Sequence, residues 1–316
     1  MTDFSEIPVL DLAPLIALQD TNALERDFLE TYGQTGFGYV INHGIDPALR
    51  AQVFNASRRF HALPIDTKQA VALDQNHRGY IAINTSTDVN SDLAEVTKPN
   101  QSASFMAMRE DTEADPEIYL SGPNQWPELV GFREACEAYV DAMSDLARLL
   151  MQLALKALAI EDQSILSAFD TPTTWLRLLH YPPQPPQAPD DLYGSAPHKD
   201  FGCLTLLSQD DVGGLQVQTP SGDWVDAQPM EQALVVNVGD MLHRMSNGKL
   251  ISTPHRVINA TGRERFSVPF FYDPHVSTQI APLPGTGIPR FEAINFGDFL
   301  RGELEASYDA HNKAED

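Results

Sequence analysis

The spacing of apolar positions along this chain changes character twice, and each change predicts a different kind of structure. Ile7 to Leu12 reads as a short strand ending near Pro14. Leu24, Phe28 and Tyr32 then recur at helical spacing behind Asn22 and Glu25, a capping-box-like start to a helix that Gly33 and Gly36 close. Phe37 to Ile41 is β-rich, and Asn42-His43-Gly44 is a turn. Asp46-Pro47 offers an N-cap with proline at the first helical position, opening a helix through about His61. From Asp74 to Gln125 the pattern weakens, with Arg78-Gly79-Tyr80 entering one strand and Ser104 to Met108 forming another. A long helical stripe follows in Phe132, Cys136, Val140, Met143, Ala147, Leu150 and Ala154, expected to brace a sheet from outside.

From Thr174 the period shortens to that of strands. Trp175 to Tyr181 is a β-run closed by Pro182-Pro183, and the Pro-rich stretch to Pro189 is expected to be irregular. Short strands are then predicted at about Ala196 to Ser208, Leu215 to Gln218, Trp224 to Ala227, Ala233 to Val238, Val257 to Ala260 and Phe266 to Tyr272. Turn chemistry separates them at Gly213-Gly214, Ser221-Gly222-Asp223, Gly239-Asp240, Asn247-Gly248 and Thr261-Gly262. Phe296 to Ala310 reads as a final helix, frayed from Asn312. The fold class implied is mainly β with flanking helices: a jelly-roll core braced by N-terminal and central helices. The expected division is an N-terminal α/β region over 1–125, a bracing helix over 126–170, a jelly-roll core over 171–275 and a C-terminal extension with a helix over 276–316.

Composition removes several classes of function. Lys+Arg 21 against Asp+Glu 44 gives a formal charge of −23, a surface that repels phosphate backbones and anionic lipid. Nucleic-acid and membrane partners are therefore not expected. The most apolar stretch, Leu146 to Ile160, is interrupted by Arg148, Gln152 and Lys156, and the first residues lack the basic and apolar runs of a signal peptide. The two cysteines, Cys136 and Cys203, are too few for a disulfide framework and are expected as buried thiols. A reducing cytoplasm is the expected setting, and a monomer or weak homo-oligomer the expected state.

The chemistry concentrates in His198-Lys199-Asp200 and, further along, His255. On a strand His198 and Asp200 would point to one face, and a jelly roll can bring His255 to it from another strand. Two imidazoles and one carboxylate form the facial set of non-heme Fe(II) sites, with other coordination positions open. A lone His-x-Asp commonly decorates a surface. Here it is followed by His255-Arg256-Val257 after an Asn247-Gly248 turn, and by Arg265-Phe266-Ser267 one hairpin later. Arg265 and Ser267 can grip a carboxylate reaching toward the metal, because a guanidinium pairs with carboxylate through two parallel bonds.

These segments, with Leu178-Leu179-His180-Tyr181-Pro182-Pro183, Gly214-Leu215-Gln216-Val217, Val236-Asn237-Val238-Gly239-Asp240 and the N-terminal Gly36-Phe37-Gly38-Tyr39-Val40-Ile41-Asn42-His43-Gly44, resemble the isopenicillin-N-synthase-like family of Fe(II)/2-oxoglutarate-dependent dioxygenases. The resemblance implies a double-stranded β-helix with Fe(II) on His198, Asp200 and His255. It implies 2-oxoglutarate on Arg265, Ser267 and Tyr181, and O2 as oxidant. Phe271 and Tyr80 are the implied substrate contacts, with core packing as their alternative. The implied activity is hydroxylation or desaturation of a small organic molecule with release of succinate and CO2. Two rivals stay open: a same-family oxidase that needs no 2-oxoglutarate or makes ethylene from it, and a catalytically silent metal-binding jelly-roll sensor. A zinc hydrolase in the same scaffold would work without O2.

Overall fold

The computed structural model describes residues 3–86, 93, 96, 98–185, 188–189 and 191–312, with side chains as far as 304. Fourteen strands are formed among them: β1 (Val9–Asp11), β2 (Phe37–Ile41), β3 (Gly79–Ile81), β4 (Ala103–Met108), β5 (Thr173–Tyr181), β6 (Ser195–His198), β7 (Leu204–Gln209), β8 (Leu215–Gln218), β9 (Trp224–Asp226), β10 (Leu234–Val238), β11 (His255–Val257), β12 (Arg265–Asp273), β13 (Gln279–Ile280) and β14 (Ile294–Asn295). The helices are α1 (Ala13–Ile16), α2 (Asn22–Gln34), α3 (Pro47–His61), α4 (Ile65–Gln69), α5 (Phe132–Ala157), α6 (Asp240–Met245) and α7 (Phe296–Asn312).

An eight-stranded sheet in the order β1-β2-β10-β7-β12-β5-β4-β3 faces a four-stranded sheet β6-β11-β8-β9, the two layers of a jelly roll. The region before residue 125 thus supplies four strands to the same large sheet as residues 171–275. Side chains alternate along each strand and share a face across each cross-strand pair, so pairing sorts the large sheet into two surfaces. On the outer surface, Phe266, Val268, Phe270 and Tyr272 of β12 join Leu176 and Leu178 of β5 in a core with the stripe of α5, which includes Phe132, Cys136, Tyr139, Met143 and Leu150. The inner surface carries a second core: Phe37, Tyr39, Leu179, Tyr181 and Val235 pack against Leu215, Val217 and Val257 of the small sheet. The bracing role expected of the long helix is what forms.

Local rules account for most boundaries. The Asp46 carboxylate accepts from the Ala48 amide at 2.8 Å, with Pro47 opening α3 as its missing N–H permits. The cap of α2 falls one residue earlier than the sequence suggests: Thr21 is the N-cap, and its hydroxyl donates to Glu25 at 2.7 Å. Gly33 stays inside α2, and Gly36, at φ +68°, follows its end.

Two strand expectations and one turn expectation are corrected. The run Ala196 to Ser208 divides into β6 and β7, which lie in different sheets, so Asp200 is in the crossover and not on a strand with His198. Gly202 makes the crossover possible, since a Cβ there would stand 1.7 Å from the Asp273 carboxylate. The strand expected at Val257 to Ala260 begins at His255 and ends at Val257. Gly239-Asp240, read as a turn, starts α6, a helix too short to show a periodic stripe. In the Pro-rich loop, 186, 187 and 190 lie outside the described residues, as do 313–316 of the tail expected to fray. None of the described helices is long and apolar enough to cross a membrane.

His61 closes α3 against the outer surface of β5, where its Nε2 donates to the Leu178 carbonyl at 2.9 Å. Burial pushes its pKa down to about 3, the Leu178 bond opposing. The folded chain then binds fewer protons than the unfolded one, whose histidine titrates near 6.5, so this group's contribution to stability falls as pH drops from about 6.5 toward 3. Over the 1.5 units from pH 6.5 to 5 the loss approaches ~2 kcal/mol. His61→Gln keeps an amide donor for Leu178 and removes the titration. Denaturant unfolding at pH 7.5 and 5.0 should show wild type losing more stability than the variant, and equal losses would refute the assignment.

Candidate metal centre

His198 ends β6 and His255 begins β11, and the two are direct cross-strand partners with ring centroids 4.3 Å apart. Each imidazole Nδ1 meets a backbone carbonyl two residues earlier, Ala196 at 2.7 Å and Thr253 at 3.2 Å. A carbonyl only accepts, so Nδ1 carries the proton and the Nε2 lone pair is left for a ligand. Asp200 turns in from the crossover with its Oδ1 3.7 Å from His198 Nε2 and 3.6 Å from His255 Nε2. One ligand atom from each residue lies within 4.8 Å of the others, the only such cluster of three His, Cys, Asp or Glu among the described residues. Phe37 sets its ring edge-on to His255 at 5.1 Å.

The other carboxylate oxygen of Asp200 is held by residues the sequence did not single out. Thr205 Oγ1 donates to Oδ2 at 2.5 Å and Asn237 Nδ2 at 2.7 Å. Thr205 and Asn237 are cross-strand partners on β7 and β10, so the large sheet aims a ligand that sits between the sheets. Burial alone would raise the pKa of Asp200, but His255, His198 and these two donors outweigh it and hold the carboxylate ionised below its usual range. Removing such outer partners typically lowers metal affinity ~10–100-fold. Asn237→Leu and Thr205→Val are each expected to weaken Fe(II) binding by that factor with the fold intact. Unchanged affinity in both, measured by anaerobic titration, would show that the donors do not orient Asp200.

Arg265 and Ser267 sit on the inner surface of β12. Arg265 is fully buried, donating to Ser267 Oγ at 3.2 Å and to Gln209 Oε1 at 3.1 Å. Its Nε has no partner, and no Asp or Glu oxygen lies within ion-pair distance of it among the described residues. Tyr181, its cross-strand partner, lies under the guanidinium with the ring centre 4.7 Å away. Gly194 admits that ring, since a Cβ there would stand 2.8 Å from Tyr181 Cδ1. A buried cation without its anion is expensive to hold. The donor set is thus complete for one incoming carboxylate, and the three-ligand cluster has the composition that suits a ferrous ion.

The two candidate substrate contacts part company. Phe271 shares the inner surface with Ser267 and is partly buried, its neighbours in register being Thr205 and Trp175. Tyr80 pairs with Phe105, which pairs with Leu178, and all three are on the outer surface. Its ring packs on Phe60 at 5.8 Å in the helical core, so the expectation that it borders the pocket is corrected. Gln209, which steadies Arg265, had no sequence signal, because its role follows only from the pairing of β7 with β12.

Jelly-roll sheets enclosing a two-histidine, one-carboxylate cluster beside a buried arginine with no acidic partner among the described residues are the arrangement of a metal-dependent oxygenase. Comparison with known proteins agrees. Residues 172–274 match the 2OG-Fe(II) oxygenase superfamily, and residues 7–129 match the model described as non-haem dioxygenase in morphine synthesis N-terminal. The 2-oxoglutarate-Fe(II) type oxidoreductase hxnY of Emericella nidulans is 35% identical over 95% of this chain and 90% of its own. Homoarginine-6-hydroxylase 2-ODD-C23 of Glycine max is 32% identical over 97% and 98%. A full-length Neurospora crassa protein, in a crystal structure with alpha-KG and thymine, superposes with a TM-score of 0.86 at 30% identity, covering 98% of this chain and 99% of that one. The chain belongs to the Fe(II)- and 2-oxoglutarate-dependent dioxygenases.

Proposed function

We propose that His198, Asp200 and His255 hold the ferrous ion, and that Arg265 and Ser267 bind the far carboxylate of 2-oxoglutarate with Tyr181 against it. Phe271 borders a small organic substrate, which is hydroxylated or desaturated. The observation that carries this reading is Arg265, buried on the same inner surface that aims Asp200 and lacking any acidic partner among the described residues. When bound, Fe(II) would activate O2 as the oxidant, with 2-oxoglutarate giving up two electrons as it is converted to succinate and CO2 and the substrate giving up the other two. The chain's own part is placement. Two neutral Nε2 donors and one carboxylate occupy one side of the ion and leave the rest of its coordination sphere for small ligands. Arg265 fixes the keto acid at the end remote from the metal, so its reactive end is delivered in one orientation. Leu179, Val235 and Phe37 of the inner core wall the site with apolar surface, which keeps bulk water from competing.

A small-molecule substrate is in keeping with the relatives, one named for homoarginine hydroxylation and one whose structure holds thymine. A reducing, cytoplasmic setting is in keeping with two buried free thiols and a ferrous cofactor. The test is anaerobic addition of Fe(II) and 2-oxoglutarate, which should give a weak visible charge-transfer band, followed by O2 uptake and succinate release with and without 2-oxoglutarate. Substrate oxidation that proceeds equally without the keto acid would overturn the reading.

A further inference from the structure

Arg177 is a second cation on the inner surface with no acidic partner among the described residues. On β5 it falls between the Leu179–Ser267 pair and the Trp175–Phe271 pair, and on its other side it is opposite Met106. One of its terminal nitrogens donates to Ser104 Oγ at 3.1 Å. Its Nε is buried with no partner, and no Asp or Glu oxygen lies within ion-pair distance among the described residues. A guanidinium has five N–H donors in a fixed fork, so most of its donor capacity is unused. Two other partly or wholly buried arginines use their terminal donors within the protein, although Arg78 Nε, like that of Arg177, has no partner. Arg78 donates to the carbonyls of Asn76, Arg109 and Leu120, and Arg256 is bonded to Gln216 and stacked on Trp224.

Register fixes where this spare fork stands relative to the reaction. Arg177 is four residues before Tyr181 on one strand, or ~13 Å along β5 from the cosubstrate end. One inner position further on is the row containing Thr205 and Phe271, and Thr205 holds Asp200. Arg177 is thus one strand away from β12, level with the gap between the cosubstrate row and the row that aims the metal ligand. A molecule whose body lies on Phe271 would bring an attached group to Arg177 while one of its C–H bonds faces the metal cluster. Met106, Met108 and Trp175 line the surrounding surface with apolar contact.

We infer that Arg177 is a specificity-determining residue that binds a carboxylate on the substrate, making this enzyme an oxygenase of small organic acids with an apolar or aromatic body. The inference rests on the proposed oxygenase reading and adds the substrate class. A chain of formal charge −23 that keeps on one inner surface two guanidiniums with no acidic partner among the described residues offers two anion seats, one for the keto acid and one for the molecule it oxidises.

The test uses the full-length protein with Mn(II) and saturating 2-oxoglutarate, so that the Arg265 seat is already filled. Matched sets of aromatic and aliphatic monocarboxylic acids and their primary amides are screened by melting shift. With Fe(II), the same sets are screened for stimulated succinate release. Acids are expected to act and their amides to be at least ~30-fold weaker, the lower end of what losing a charge-assisted pair removes. Arg177→Gln, which keeps a donor for Ser104, should raise KM for an active acid by a similar factor, and Arg177→Lys should restore part of it. The inference is overturned if amides equal acids, if acid responses survive Arg177→Gln unchanged, or if no acid acts. Binding of 2-oxoglutarate by the wild-type protein is measured separately. Its absence would sink the oxygenase reading itself, whereas its presence without any acid response would sink only the substrate class.

Discussion

Asp200→Asn is expected to abolish ferrous binding and lower turnover ~10³-fold or more while leaving the fold intact. The asparagine carbonyl takes the place of Oδ2, where Thr205 and Asn237 both donate. Its amide nitrogen must then face the Nε2 atoms of His198 and His255. An amide NH2 offers hydrogens and no lone pair, so the third ligand is lost and replaced by a donor to the two imidazoles. The metal's contribution of several kcal/mol sets the scale, since about 4 kcal/mol corresponds to a thousandfold in rate. Anaerobic titration with 2-oxoglutarate should show no charge-transfer band, and the metal-free variant should melt no lower than wild type. Succinate release within tenfold of wild type would exclude Asp200 as a ligand.

Arg265→Met should separate stability from function in opposite directions. The variant loses hydrogen bonds to Gln209 and Ser267, about 1 kcal/mol each, and the stacking on Tyr181, and relieves a buried charge with no acidic partner among the described residues, which costs several. The protein without cosubstrate is therefore expected to melt at or above the wild-type temperature. Its KM for 2-oxoglutarate should rise ~10²–10³-fold, the scale of removing one partner from a buried charged pair. Wild type should gain ~2.7 kcal/mol at a hundredfold excess of 2-oxoglutarate over Kd, and the variant nearly nothing. Retention of that gain by Arg265→Met would place the keto acid elsewhere.

What could be read from the chain alone was the chemistry that travels in short motifs. The meeting of His198 and His255 was legible because a His-x-Asp followed by a later His-Arg-Val and Arg265-Phe266-Ser267 is the spacing expected of a facial metal set. Strand pairing, by contrast, is written nowhere in the local pattern. Thr205, Asn237 and Gln209 act because β7 and β10 lie beside the crossover and β12, and a shift of one residue would turn each of them to the helical side. The same parity defeated Tyr80, whose neighbours Gly79 and Ile81 face inward in its stead. The apolar run through His198 hid a change of sheet because both of its halves are strand-like and only the small Gly202 marks the passage.

That passage has a mechanical meaning. The two imidazoles belong to one layer of the sandwich, and the groups that aim the carboxylate belong to the other. An ion gripped by all three residues works as a bolt through both plates. A metal ion held there would resist the parting of the two plates, so its binding is expected to add to the stability of the sandwich.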